Sequence, residues 1–436
     1  MGEFSTNLKQ ESRITLSKIL RWLKPGINIK RWLLMMLVGL LCFSFFLSLQ
    51  IDAKNGQEVA NLPFSLANTL SLRILLIICG IILTGYGFYR FYRSLMRPFI
   101  RPGTEVLDTL SAYQKKERGP HIVTLGGGNG LATLLRGLKQ YSHNLTAVVT
   151  VADDGGSSGQ LRQSLGILPP GDIRNCLTAL SSDEKLLTQV FQYRFGDRAG
   201  VNGHSLGNLL ISALTDITGS FEEAVAESGR VLAIRGTVLP STLHDVNLVA
   251  EVESKEKQEI INITGESNIP LAGGKIRRVW IEPSNPVPYP PAVQAILGAS
   301  LIILGPGSLY TSILPNLLVP GIVEAINSSK ALKFFVCNVA NERGETDGYR
   351  CIDHIRVIEQ HLNDIHFDVI ICNNNFELKL PAGVEWVTPD AQLEEQYSIY
   401  YASLVDKEYP WRHDYQKLAE VITDLLEERT GPLNKS

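Results

Sequence analysis

The chain has 436 residues, 41 of them basic and 44 acidic, for a net charge of −3. That length holds two or three domains, and the near-neutral balance excludes a broad nucleic-acid-binding surface, which needs a basic excess. None of the six cysteines, Cys42, Cys79, Cys176, Cys337, Cys351 and Cys372, forms a C-x-x-C pair. Zinc and a disulfide framework are therefore not expected, and a reducing compartment is.

Two apolar runs come first. Trp32–Leu49 has 18 residues without a charge, and Leu70–Tyr89 has 20 with one, Arg73, near its start. Each is close to the ~20 residues a helix needs to cross a bilayer, and neither has the polar face of a helix lying on a soluble core. No small-residue cleavage site follows the first run, so it is not read as a signal peptide. Lys9, Arg13, Lys18, Arg21, Lys24, Lys30 and Arg31 precede it, and Arg90, Arg93, Arg97 and Arg101 follow the second run. The connection carries only Asp52, Lys54 and Glu58. The positive-inside rule then puts both ends in the cytoplasm. The expected organisation is a basic segment (1–31), a transmembrane helical hairpin (32–92) in the inner or plasma membrane, a juxtamembrane linker (93–119) and a cytoplasmic α/β domain (120–436).

Within that domain, "HIVTLGGG" (121–128) reads as a strand, "GLATLLRGLKQY" (130–141) as a helix and "LTAVVTVA" (145–152) as a second strand. This βαβ unit predicts a parallel sheet. Further strands are expected at 277–282, 300–306, 332–339 and 367–372, with helices at 291–299 and 352–362. A mostly helical insertion spans 172–235 and a β-hairpin falls within 245–270. The fold class is α/β, three layers around a parallel sheet, preceded by two transmembrane helices.

Four junctions carry glycines and small polar residues. Gly126, Gly127, Gly128 and Gly130, with Asn129, follow the first strand and open a helix whose free N–H groups suit an anion. The spacing breaks the dinucleotide fingerprint, because Leu131 or Thr133 stands where its last glycine belongs, so NAD is not expected. At the end of the second strand, "VTVADDGGSSGQLRQ" (149–163) sets Asp153 and Asp154 side by side. Two acids can meet ribose hydroxyls or hold a divalent cation such as Mg²⁺, and Ser157 and Ser158 can donate to phosphate. A solvated turn would also account for them. "PPGDIRNCL" (169–177) places Asp172 as a helix N-cap and puts Arg174 and Asn175 in the first turn, where Arg174 can pair with phosphate or with the two acids. "GHSLGNLL" (203–210) sets His204, Ser205 and Asn208 at another helix start. "LGPGSLYTSILPNL" (304–317) adds Gly305, Gly307, Ser308, Thr311 and Ser312, with Tyr310 placed to stack on a base or sugar. Together these junctions suggest one crevice beyond the strand ends for a phosphorylated, nucleotide-like ligand.

The strings "GGGNGLATLLRGLK", "VTVADDGGSSGQLR", "PPGDIRNCLTAL", "GHSLGNLL", "GPGSLYTSILPNLLVPGI" and "NERGETDG", resumed at "WRHD" (411–414), resemble the gluconeogenesis factor family, relatives of 2-phospho-L-lactate transferase. The resemblance runs from His121 to His361 and leaves the hairpin outside. It implies a Rossmann-like core. It also implies a binding site to which Asn338, beside "GETDG", and Arg412, placed to reach a diphosphate, belong. In "NERGETDG" the chain departs from the family's usual Met-Thr-Gln, which leaves Glu342 and Arg343 unassigned. The transferase relatives move a phospholactyl group from a nucleotide diphosphate donor with Mg²⁺. The nearer relatives are associated with cell shape, wall-precursor metabolism and growth on gluconeogenic carbon.

The expected function is a membrane-anchored regulator that binds a nucleotide sugar of the UDP-N-acetylglucosamine class. The alternative is an Mg²⁺-dependent transferase in which Asp153, Asp154 and Arg174 are catalytic, with Asp153 and Asp154 as metal ligands. No nucleic-acid partner is expected, and homodimerisation is compatible with the fold class although no motif encodes it.

Overall fold

A computed structural model describes residues 30–55, 70–96, 116–182, 186–196, 201, 203–254, 259–362 and 365–431. Most of the basic N-terminal segment and linker residues 97–115 lie outside these. The chain divides into two compact units, Met1–Ala112 and Tyr113–Ser436.

The first unit contains two helices, α1 (Lys30–Asn55) and α2 (Leu70–Met96). Their apolar stretches, Lys30–Ser48 and Ile74–Ser94, are each long and apolar enough to cross a membrane. The helices pack side by side, and the edge-on contact of Trp32 with Tyr86, 6.1 Å between ring centroids, pairs the start of α1 with the end of α2. Large apolar side chains face outward: Leu34 is 66% and Ile81 62% exposed. Such a surface suits an apolar surround rather than water.

The second unit is built on a seven-stranded sheet. Its strands are β1 (Ile122–Gly126), β2 (Leu145–Val149), β3 (Thr237–Pro240), β7 (Leu301–Leu304), β8 (Leu332–Val336), β9 (Val369–Asn373) and β10 (Ile399–Ala402). The order is β10-β9-β8-β7-β1-β2-β3, and every pairing is parallel. Strands β1, β2, β7 and β9 are buried along their whole length. That is why they read as unbroken apolar runs: a parallel sheet is covered on both faces. Helix α3 (Gly128–Leu138) crosses from β1 to β2 and packs against α5 (Gly171–Leu180) and the C-terminal helix α14 (Tyr415–Thr430). Helices α4 (Gly156–Leu165), α6 (Leu186–Gln192), α7 (Leu206–Thr218) and α8 (Phe221–Val231) complete the insertion between β2 and β3.

The segment expected at 277–282 as a strand belongs elsewhere. It is part of β6 (Gly274–Glu282), which pairs antiparallel with β4 (Asn247–Ser254), itself paired with β5 (Ile260–Thr264) in a separate three-stranded sheet. One face of β6 carries exposed charge, and Arg277 and Arg278 reach across to Glu253 and Glu251. A half-solvated strand of this kind suits an antiparallel sheet. The edge strands β3 and β10 were not expected. Each has only four residues, too few for a periodic signal.

Candidate functional site

The chain runs outward from β1 in opposite directions, to β2 and β3 on one side and to β7 through β10 on the other. The loops leaving β1 and β7 therefore part at their C-terminal ends, where open α/β sheets hold ligands. A cavity of about 430 Å³ lies there, lined by residues of the loops after β1, β2, β7 and β8 and of the loop before α14.

The first wall is the start of α3. Its cap residue, Gly127, has no side chain with which to cap it; the Gly128 N–H is taken by the Asp172 carboxyl, and Gly128, Asn129 and Gly130 line the cavity at the positive end of the helix dipole. A Cβ at Gly127 would collide with the Asp172 carboxylate, and one at Gly130 would collide with the Pro306 carbonyl. These two glycines let the β1 loop, the β7 loop and α5 close on one another. The second wall is the loop after β7, which winds into a π-helical turn, Leu309–Ile313. Asn338 holds it from both sides: it accepts from the Gly307 N–H at 3.1 Å and donates to the Gly307 carbonyl at 2.9 Å. Asn316 joins the walls, donating to the carbonyls of Gly126 and Ser312, each at 2.8 Å.

Four carboxyls face this space: Asp153, Asp172, Glu266 and Glu342. Burial and the neighbouring Asp153 push the Asp172 carboxyl up to about 7, against a bond from the Gly128 N–H. Burial and the charges of Asp153, Asp172 and Asp154 push Glu266 up to about 8. Burial also raises Asp153, although the Gly155 N–H, at 2.9 Å, and Ser158 donate to it. Just behind, Glu345 accepts from the Thr311 hydroxyl at 3.0 Å and is raised to about 8 by burial and Glu342. The one arginine on the lining is Arg412, which is exposed and makes no ion pair among the described residues. Beside it His413 is buried, its Nε2 bonded to the Cys337 carbonyl at 3.1 Å and its titration lowered to about 4, so it stays neutral.

Of the residues singled out from the sequence, Gly127, Gly128, Asn129, Gly130, Asp153, Asp172, Gly307, Ser308, Thr311, Ser312, Asn338 and Arg412 line the cavity. Gly126, the last residue of β1, and Gly305, just after β7, are not on the lining. The adjacent acids separate: Asp153 faces the cavity, whereas Asp154 accepts from the Ser267 N–H at 2.9 Å and so fastens the loop after β5 that presents Glu266. Asp172 does not cap α5, whose cap position is Pro170; its carboxyl reaches across to Gly128 instead.

Ser157, Arg174, Asn175, His204, Ser205 and Asn208 form a second polar group that does not line the cavity. Arg174 donates to Ser205, to Asn208 Oδ1 at 2.9 Å and to Asn175 at 2.8 Å. With its oxygen so engaged, Asn208 donates through Nδ2 to Ser157, which also contacts His204 Nδ1 at 3.0 Å. Among the described residues Arg174 makes no ion pair with the acids, although its charge favours the ionised forms of Asp153 and Asp172, and it holds the α7 cap, Ser205, against α5. Ser158 meets the cavity only through Asp153. Tyr310 faces away from the cavity: it is 1% exposed, with its hydroxyl 2.8 Å from that of Tyr349. Glu266, Thr150, Trp411 and Val384 on the lining were not anticipated. Glu266 sits in "TGESN" (264–268), whose glycine marks a turn but gives no sign of which cavity the turn reaches.

The family profile of 2-phospho-L-lactate transferase CofD matches residues 122–429. The chain belongs to that family. A gluconeogenesis factor from Bacillus subtilis (strain 168) is 45% identical over 318 residues, covering 71% of this chain and 99% of that one. A gluconeogenesis-factor relative from Nostoc sp. (strain PCC 7120) is 44% identical over 443 residues and covers 95% of both chains, so it also matches most of the segment ahead of the α/β domain. The crystal structure of a UPF0052 family member from Bacillus halodurans superposes with a TM-score of 0.65 at 43% identity, over 70% of this chain and 99% of its own. The CofD-family match begins at β1 and ends in α14, so it encloses every loop that lines the cavity.

Proposed function

We propose that the protein is a membrane-anchored regulator of envelope and gluconeogenic carbon metabolism whose cytoplasmic domain binds a nucleotide sugar of the UDP-N-acetylglucosamine class. The observation that carries this reading is the crevice where β1 and β7 diverge, whose lining includes the glycine-rich start of α3 and Arg412. The α3 N-terminus and the Gly307 loop would cradle the diphosphate, Arg412 would close over it, and the hydroxyls of Ser308, Thr311 and Ser312 would meet the sugar. The two apolar helices would hold this domain at the membrane, with the flanking arginines keeping both chain ends in the cytoplasm.

The family also implies Mg²⁺. Among the described residues no three His, Cys, Asp or Glu side chains converge on a ready-made metal cage. Mg²⁺ does not require one: it takes one or two carboxylates and completes its shell with water and phosphate oxygens. Asp153 and Asp172 fit that role, and the ion would neutralise phosphate charge there. Asp154, committed to Ser267, does not. The same arrangement supports a second reading, transfer of a phospho-group from a nucleotide diphosphate donor, favoured by the acid cluster beside the helix start.

Calorimetry of the full chain with UDP-N-acetylglucosamine and Mg²⁺ tests the first reading. Heat is expected, and Arg412→Ala should weaken binding by about 10- to 100-fold through loss of a charged hydrogen bond. No heat at millimolar ligand would overturn it. Mg²⁺-dependent turnover of a nucleotide donor, lost in Asp153→Asn and kept in Asp154→Asn, would establish the second.

A further inference from the structure

The α1–α2 hairpin carries a cationic cluster of its own. Where the start of α1 meets the end of α2, the Arg31 guanidinium lies 4.8 Å and the Arg90 guanidinium 4.6 Å from the centroid of the same ring, Trp32. Arg90 also lies 5.9 Å from the Tyr86 ring, and Arg93 donates to the Tyr89 hydroxyl at 3.4 Å, one turn away. Two positive charges are thus drawn onto one indole by cation–π attraction. Among the described residues neither has a carboxylate partner. The flanking sequence is strongly basic: residues 12–31 and 90–104, bounded by Glu11 and Glu105, contain ten Lys and Arg and no Asp or Glu.

The cluster sits at the end of two apolar spans, where a helix pair would meet the headgroup layer. Trp and Tyr settle at that depth, and basic side chains there attract anionic lipid. Two like charges held on one indole, in a layer of low polarity, call for a neutralising anion, and a phosphodiester at the headgroup level would supply it. We propose that Arg31 and Arg90, clamped on Trp32 and flanked by Arg93, form a binding site for the headgroup of an anionic phospholipid. This rests on the reading of α1 and α2 as a membrane hairpin and adds a lipid preference to it.

The test uses the full chain in nanodiscs of mixed phosphatidylcholine and phosphatidylglycerol, with native mass spectrometry of the lipids that stay bound. Wild type is expected to retain phosphatidylglycerol above its bulk fraction. The double variant Arg31→Gln/Arg90→Gln should lose that enrichment by about tenfold or more, since each basic residue near an anionic surface is worth roughly a fivefold gain. The single variant Arg93→Gln should lose less. Equal retention of the two lipids by wild type, or undiminished enrichment in the double variant, would overturn the site while leaving the hairpin intact. Failure of the chain to enter discs of pure phosphatidylcholine would overturn the hairpin and the site together.

Discussion

Replacing Asp172 by Asn should make the protein more stable and less able to bind. In the folded chain the Asp172 carboxyl is raised from its ordinary 3.8 to about 7 by burial and by Asp153. Below pH 4 the carboxyl is protonated in both folded and unfolded chains, and no penalty applies. As the pH rises from about 4 to 7 the unfolded chain releases this proton and the folded chain keeps it, so stability falls. Above 7 the loss levels off. At ~1.4 kcal/mol for each tenfold, the full difference is roughly 4 kcal/mol. That is an upper bound, because part of the carboxyl opens on the cavity. Asn keeps an oxygen to accept from the Gly128 N–H and carries no charge. Urea unfolding of the full chain in detergent, compared at pH 8 and near pH 4.5, should show the variant ahead by about 2–4 kcal/mol at pH 8 and by about 1 kcal/mol or less at the lower pH. A variant less stable than wild type at pH 8, or a difference that ignores pH, would refute the reading of Asp172 as a carboxyl whose ionisation burial and Asp153 oppose.

Gly130→Ala should lower the melting temperature and weaken ligand binding together. Its Cβ would meet the Pro306 carbonyl and lie 2.9 Å from the Gly307 Cα, backbone that cannot swing aside, at a cost of about 1–3 kcal/mol; a variant that melts with wild type would show that the two loops are free to part. Tyr310→Phe should cost about 1 kcal/mol through the lost bond to Tyr349 and leave ligand affinity unchanged. Lost affinity in that variant would return Tyr310 to the site.

The parts of the site legible in the sequence are those where backbone chemistry and side-chain chemistry coincide. The glycine run after β1 marks both a tight turn and a helix start, and Gly127, Gly128 and Gly130 line the cavity while Gly126 ends the strand. Asp153 and Asp154 could not be told apart from their order alone. Successive side chains leaving a strand diverge, and only the position of the β5 loop decides which acid is free. Arg174 and His204 have the composition of a phosphate site, yet their partners are Ser205, Asn208 and Ser157. A buried guanidinium must be hydrogen-bonded wherever it lies, so residue type does not separate binding from bracing. Tyr310 shows the same limit from the apolar side. Glu266 was invisible because it arrives from a separate sheet, and no local pattern records which cavity a distant turn will enter.

The charge balance of the cavity constrains both functional readings alike. Four carboxyls face one exposed arginine, and a diphosphate would add further negative charge. At about 6 Å and an effective dielectric of 20, each ionised carboxylate opposes each phosphate charge by roughly 3 kcal/mol. The dipole of α3, Arg412 and the charge of Arg174 behind the lining do not offset several such terms. An anionic ligand must therefore enter with a divalent cation, or meet carboxyls that still hold their protons. The titration of Asp172 near 7 and of Glu266 near 8 makes the second route available at neutral pH, and the place of Asp153 on the lining makes the first available as well. A sensor can use either route. A transferase needs charge neutralised on the group that moves, which protonated carboxyls at the cavity edge do less well than an ion in contact with it. Dependence on Mg²⁺ for turnover but not for binding would thus separate two activities that share the same walls.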